Sequence, residues 1–390
     1  MPNIVAKNLK NVELPVKFNE VEFIWEAKSN GEKLVYTKAL GCEFCLVVKD
    51  RGNSYVIKCD KLTRPAKLEA VQMALEAYKQ LFASDVISQA TAVKKPKNLE
   101  SKYIINSDEL LNRLEDCEYK RIFVEIGFGS GRHLLYQAKE NPEALIIGIE
   151  VYKPACLQVE NLAGINGLKN IVLLNLDARL VMSLLKSNSI DRLFLHFPVP
   201  WGKSKMRRVV SPQFALECQR TLKDGGTFEL RSDDRDYTDF TIGCFMDLKN
   251  ANIQIFKNRF LEISSKYEDR WIRQNKDIYD VICAFYGSSD ELDLDFKFEF
   301  SGLELEYIKS NFANKTIKYS DHFIHLERIY ILDNGDALVR VAFGSFDRPE
   351  HRYLLISRQN TIYLFKKPLL TPENIKAHNN LEDMLKCATL

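Results

Sequence analysis

Hydrophobic and polar positions fall into three regimes along the chain. Over residues 1–90 they alternate, in VEFIWEA, KLVYTKAL, FCLVVKD and SYVIKC. This period of two predicts strands with one buried face. The spacing in KLEAVQMALEAYKQLF then predicts a helix, which completes a small α+β accessory domain over 1–95. The polar, lysine-rich KKPKNLESK predicts a linker at 96–106. From residue 107 short apolar runs (RIFVEIGFG, ALIIGIEV, NIVLLNLDA, IDRLFLHFP, GTFELRSD) take turns with amphipathic stretches (HLLYQAKE, ACLQVENLAGI, PQFALECQRTL). Repeated apolar strand and helix predict an α/β domain over 107–288, a parallel sheet with helices on both faces. Strands return in DFKFEFSG, FIHLERIYIL, DALVRVAFGS, RYLLIS and TIYLFKK, with a late helix at ENIKAHNNLEDMLK. That predicts a mainly β accessory domain over 289–390. Its strands carry Tyr307, Arg328, Arg340, Arg352, Tyr353 and Phe365, and alternating aromatics in strands are more often core than an RNA surface.

Composition changes this picture little. The 390 residues, 46% hydrophobic and 28% charged, suit a globular protein of two or three domains. A net charge of +2 means that any surface for a polyanion is local. No run approaches the ~18 apolar residues of a membrane span. The start, MPNIVAKNLKNVELPVKF, has charges where a signal peptide needs an apolar core, so a cytoplasmic protein is expected. The nine cysteines are scattered and odd in number, as in reduced cytoplasmic chains. Cys42 and Cys45 form a CxxC with only Cys59 nearby. A zinc site needs a second pair, so no structural metal is expected and these read as small buried residues.

The first strand of the central domain runs into VEIGFGSGRH, where Gly127, Gly129 and Gly131 are spaced GxGxG. In an open α/β sheet this loop sits at the edge where ligands bind, and glycines there let the backbone turn sharply. A plain tight turn has the same composition, but the place between strand and helix favours a ligand. Glu150 ends the second strand about 20 residues on, where a carboxylate can take both ribose hydroxyls. A dinucleotide fits poorly, because GxGxxG needs a glycine where the chain has Arg132, and Phe128 is bulky beside a pyrophosphate. Glu125 precedes the glycines and favours a cation. Asp177 adds a third carboxylate after the third strand. Each acid alone could be a helix cap or a solvated charge. Three at one sheet edge suit a cofactor with an adenosine part and a cationic part, and S-adenosylmethionine has both.

The fourth strand delivers PVPW to the same edge. Pro198 and Pro200 fix the backbone direction. Trp201 offers a face for stacking a base or the cofactor. Lys203, Lys205, Arg207 and Arg208 can neutralise phosphates and steer a nucleic acid. A solvated charge run after a core tryptophan is the structural alternative. His133 and His196 lie closest to this edge, but neither has a partner at metal-ligand spacing and neither is assigned a function.

In order and spacing across 120–290, these motifs resemble those of the bacterial tRNA (guanine-N7-)-methyltransferases. The resemblance rests on E-x-G-x-G-x-G, GIE, DA, FPxPW-x-K with a following RR, SDDRDY at 232–237 and SKYEDR at 265–270. It implies a Rossmann-like class I methyltransferase domain that uses S-adenosylmethionine, with tRNA as partner and 7-methylguanosine in the variable loop as product. Glu125, Glu150 and Asp177 would line the cofactor site with the glycines. Lys203, Asp233 and the segment Ser265, Lys266, Tyr267 and Glu268 would contact the RNA or the target guanine. Family members carry an aspartate between the two prolines, at the cofactor or catalytic centre, where this chain has Val199. Ser265 replaces a threonine and keeps its hydroxyl. Residues 1–106 and 289–390 have no counterpart in the short family members.

Guanine N7 carries an unprotonated lone pair, so methyl transfer needs alignment and a suitable field rather than a general base. Asp233 and Glu268 are the acids expected to bind the Watson–Crick edge and favour the cationic product, so Val199 need not abolish activity. Val199 does raise the alternative of a non-catalytic tRNA-binding protein on a methyltransferase core. The intact glycine turn and three acids speak against it. A small-molecule methyltransferase has no use for the cation cluster, and Arg132 puts a nicotinamide dehydrogenase last.

Overall fold

The computed structural model describes residues 2–65, 67–91, 102–263, 266–292 and 295–386. The chain divides into two units, Leu99–Leu294 and a second made of Met1–Asn98 with Asp295–Leu390.

The central unit holds seven strands among the described residues: β1 (Arg121–Ile126), β2 (Ala144–Ile149), β3 (Ile171–Leu174), β4 (Ile190–His196), β5 (Leu222–Ser232), β6 (Ala251–Lys257) and β7 (Tyr279–Phe285). Its helices are α1 (Ser107–Glu115), α2 (Arg132–Glu140), α3 (Lys153–Ile165), α4 (Ala178–Leu184), α5 (Pro212–Thr221), α6 (Arg235–Met246) and α7 (Lys266–Arg273). The strand order is β3-β2-β1-β4-β5-β7-β6. β1 to β5 are parallel, and β7 runs antiparallel between β5 and β6. This is the Rossmann-like methyltransferase arrangement that the alternating pattern predicted, with β6 and β7 added beyond the five predicted strands. The strand ALIIGI is buried at every position because helices cover both of its faces. One face packs Val124, Ile147 and Leu195, the other Phe123, Ile146 and Phe194. Every parallel strand ends at the same edge, and the chain reverses there at its topological switch between β1 and β4.

Part of the expected linker, 96–101, lies outside the described residues. Residues 103–105 are not a solvated spacer. Tyr103 and Ile105 exchange backbone hydrogen bonds with Leu173 of β3, so they extend the sheet's edge. Ser289 and Asp290 are tied to Asn188 and Ser187, so the central unit continues past 288.

The two flanking stretches, expected as separate domains, share one sheet. Ala27 and Lys28 of strand Val21–Ser29 pair antiparallel with Leu332 and Ile331 of strand Phe323–Leu332. Each stretch alone leaves the end of that strand edge unpaired, beyond what Val16–Phe18 and Lys315–Lys318 cover, and the joint pairing takes up the two ends. Helix Leu68–Phe82 covers the core of the first stretch, and helices Leu305–Asn311 and Pro372–Lys386 cover that of the second. A further core, with Cys45, Tyr330 and Tyr353, joins residues from both stretches. Cys42 packs into the first core and Cys45 into the joint one, on opposite faces of one strand, so the CxxC cannot grip a common ion. Arg328, Arg340 and Arg352 are each paired with a carboxylate, Glu32, Glu327 and Glu350.

Candidate active site at the C-terminal edge of the parallel sheet

After β1 the chain turns through Gly127, Gly129 and Gly131 at φ of +69°, +51° and +74°. Side-chain-bearing residues rarely adopt this region. At Gly131 a Cβ would also lie 2.4 Å from Val159 Cγ2 of α3. Phe128 is buried over Gly148, where a Cβ would come 2.9 Å from its ring. The ring that looked too bulky for a phosphate turn is therefore part of the core.

Two carboxylates are held at this turn. Glu150 accepts the Gly129 N–H at 3.2 Å and the Tyr152 N–H at 2.8 Å, so it fastens the turn to the end of β2. Glu125 is buried on β1, and its Oε2 meets His133 Nδ1 at 2.8 Å. Its other oxygen accepts no hydrogen bond from the described residues, and the side chain as a whole is 5% exposed. Asp177 lies at the same edge but has local work. It caps α4 through the Arg179 N–H at 3.0 Å and pairs with the Arg179 guanidinium at 2.7 Å. The cap and the Arg179 pair account for this acid without a ligand, although, as at Glu150, a lone pair remains for one, here on Oδ2.

The PVPW turn is rigid. Phe197 and Trp201, at φ of +48° and +46°, bracket the two prolines, and the Phe197 N–H donates to the Arg231 carbonyl at 2.7 Å. Val199 is 62% exposed and Trp201 38%. The Arg207 guanidinium lies 5.0 Å over the Trp201 ring, and Lys203 is exposed beside it. Arg208 is different, with a side chain 0% exposed. Its Nε donates to the Pro200 carbonyl at 2.8 Å, its Nη2 reaches Asp236 at 2.5 Å, and its plane lies over Tyr237. The expected phosphate contact at Arg208 is therefore corrected: it closes the turn from beneath, where the Pro200 carbonyl needs a donor.

The acids expected on the substrate side separate in the same way. Asp233 follows β5 directly and pairs with Lys276 at 2.8 Å, with its side chain 19% exposed. Glu268 of α7 is buried and receives Arg231 Nη2 at 2.6 Å, while Arg231 Nη1 reaches Asp280 at 2.5 Å. The expected guanine contact at Glu268 is corrected accordingly: it neutralises a buried arginine. Ser265 and the side chains of Lys266 and Tyr267 lie outside the described residues.

Sequence reasoning passed over the two histidines. Their rings are 4.5 Å apart beneath the edge. His196 Nε2 lies 3.0 Å from Glu229 Oε1, which also takes Arg259 Nη2 at 3.0 Å. Only the pairing of β4 with β5, which sets Phe194 opposite Glu229, brings these residues together. Burial pushes the Glu229 carboxyl up, but the bonds from His196 and Arg259 outweigh it and hold it down to about 2. A carboxyl lowered in the folded state stabilises it above its unfolded value of 4.5, and that contribution is lost as pH falls toward 2. It is on the order of 3 kcal/mol. Glu229→Gln should therefore be less stable than the natural protein in urea at pH 7, and the gap should shrink to less than about half by pH 3. A gap independent of pH would show that Glu229 acts through packing.

The profile of the family described as "Putative methyltransferase" matches residues 119–281. A protein named tRNA (guanine-N(7)-)-methyltransferase from Campylobacter fetus subsp. fetus is 58% identical over 100% of both chains. One of the same name from Campylobacter jejuni subsp. jejuni is 46% identical over 99% of both. Another from Wolinella succinogenes is 34% identical over 99% of this chain and 100% of its own. A solved 30S ribosomal A1408 methyltransferase from an uncultured bacterium aligns with 46% of this chain and 94% of its own, at 19% identity and a TM-score of 0.33. The flanking stretches, without counterpart in short family members, are thus shared with these longer relatives. Matched from end to end at such identity, the chain belongs to the tRNA (guanine-N(7)-)-methyltransferase family.

Proposed function

We propose that the central unit transfers a methyl group from S-adenosylmethionine to N7 of a guanine in the tRNA variable loop. The observation that carries this is the left-handed glycine turn, with Glu125 and Glu150 held beside it at the edge that also presents Trp201, Lys203 and Arg207. S-adenosylmethionine, when bound, supplies an electrophilic methyl on a cationic sulfur. The residues present fit it. The glycines leave room for close approach, the Glu125 oxygen that His133 leaves unbonded favours the cationic part, and Glu150 keeps lone pairs for ribose hydroxyls.

Trp201 stacks the target base or its neighbour, while Lys203 and Arg207 hold phosphates. Asp233 is the acid proposed for the guanine edge, since Val199 has no charge and Glu268 is buried. It exchanges Lys276 for the base. No proton leaves N7, so none of these groups acts as a base. The same reading places the protein in the cytoplasm with its tRNA. No described helix is long and apolar enough to cross a membrane.

The test is incubation with methyl-labelled S-adenosylmethionine and unmodified tRNA, followed by digestion to nucleosides. Label in 7-methylguanosine supports the proposal. Label in another nucleoside overturns the site chemistry, and no label despite binding of both ligands favours the non-catalytic alternative. Lys203→Ala with Arg207→Ala should weaken tRNA binding and flatten the salt dependence of log K by about 2. An unchanged slope would remove these cations from the RNA contact.

A further inference from the structure

A carboxylate on a two-carbon stem presents a chosen oxygen to a ligand only if its other oxygen is fixed. Glu125 meets that condition through His133, and the geometry determines which ring nitrogen carries the proton. Asn141 Nδ2 donates to Gln137 Oε1 at 3.2 Å. Gln137 therefore turns its amide nitrogen to His133, with Nε2 to Nε2 at 3.1 Å. A ring nitrogen that receives an N–H carries no proton of its own. The proton sits on Nδ1, 2.8 Å from Glu125 Oε2, and is donated there.

His133, Gln137 and Asn141 recur every four residues, so they stand on one face of α2 and of the residue that ends it. The ring is also walled in. Phe194 meets it edge-on at 4.8 Å and His196 at 4.5 Å, and His196 is itself held by Glu229.

We propose that His133 is the positioning residue of the cofactor site: as a fixed Nδ1–H donor it anchors one oxygen of Glu125 and turns the other toward the cationic part of S-adenosylmethionine. The inference rests on the reading of Glu125 as a cofactor acid. It gives a role to a helix face, His133–Gln137–Asn141, whose order of donors and acceptors runs one way from the helix end to the carboxylate.

The test is calorimetric binding of S-adenosylmethionine to the whole protein and to Glu125→Gln, His133→Phe and His133→Asn. Steady-state kinetics with tRNA and nitrogen-15 spectra of the histidines complete it. His133→Phe keeps the ring packing and loses the donor. Its affinity for S-adenosylmethionine should fall about tenfold, seen as a raised KM for the cofactor with kcat little changed. His133→Asn places an amide N–H near the lost Nδ1–H and should recover most of that loss. The spectrum of the natural protein should show the His133 proton on Nδ1. Wild-type affinity in His133→Phe, set against a loss in Glu125→Gln, overturns this proposal and leaves the cofactor site standing. Wild-type affinity in Glu125→Gln overturns both. If His133→Asn binds as poorly as His133→Phe, or the proton is found on Nε2, then His133 acts through packing and the proposal is wrong. The spectrum needs no variant, so a misfolded substitution does not spare the proposal.

Discussion

Arg231→Met should be the most damaging single change in the central unit, costing about 3–5 kcal/mol in urea unfolding. The arginine is buried at the sheet's working edge and bonds Asp280 through one nitrogen and Glu268 through another. Methionine fills similar volume but leaves two carboxylates without that cation. Arg259, 3.3 Å from Asp280, is a partial substitute for one of them. Burial already holds the Asp280 carboxyl above its ordinary value in spite of Arg231. A carboxyl raised in the folded state favours folding below its unfolded value, and that contribution is lost as pH rises through the folded one. Losing the cation raises Asp280 further, so the variant's deficit should be largest at pH 7 and shrink toward pH 4. A deficit that is small, or flat across that range, would show that Asp280 and Glu268 do not depend on Arg231.

Gly131→Ala should impair stability and cofactor binding together. The residue sits at φ +74°, which a side chain makes unfavourable by about 1–2 kcal/mol. A Cβ there would also overlap Val159 at 2.4 Å, and relieving such an overlap costs about 1–3 kcal/mol. The relief has to come from α3 or from the turn, and a displaced turn carries Gly129 away from Glu150. Removing the obstacle as well, in Gly131→Ala with Val159→Ala, should recover the steric part and leave the conformational part. A single variant within about 0.5 kcal/mol of the natural protein, with unchanged affinity for S-adenosylmethionine, would contradict the argument.

These two sites show what a sequence can and cannot announce. Gly131 was legible because a glycine between strand and helix has few explanations. Its reason, the side chain of Val159 on α3, was not, since it depends on how α3 packs. The parallel strands were legible from runs such as ALIIGI, whereas β6 is a short alternating run, Ala251, Ile253 and Ile255, that lies mostly exposed at the edge of the sheet and lacks such an apolar stretch. Arg208 and Arg207 are neighbours of one type, yet one is sealed under Pro200 and the other lies over Trp201. Charge patterning cannot separate them, because the distinction comes from the turn, whose Pro200 carbonyl takes the Nε of Arg208 alone. Glu268 was read as a substrate contact for the same reason. Its partner, Arg231, lies 37 residues earlier, on a strand whose inward face is set only by sheet pairing. Asp177 followed the opposite course, since an acid three residues beyond a strand and just before a helix already fits a cap.

The sheet shared by the two ends of the chain has a consequence for synthesis. Strand Val21–Ser29 leaves the ribosome early, but its partner Phe323–Leu332 is made only after the whole methyltransferase unit. At about 5–20 residues per second, the nascent chain carries that open edge for roughly 15–60 s. The α/β unit between them has all of its own strands by then and can fold while the first half still waits. Translation therefore delivers the enzyme's catalytic unit before it delivers the partner that completes the first domain begun.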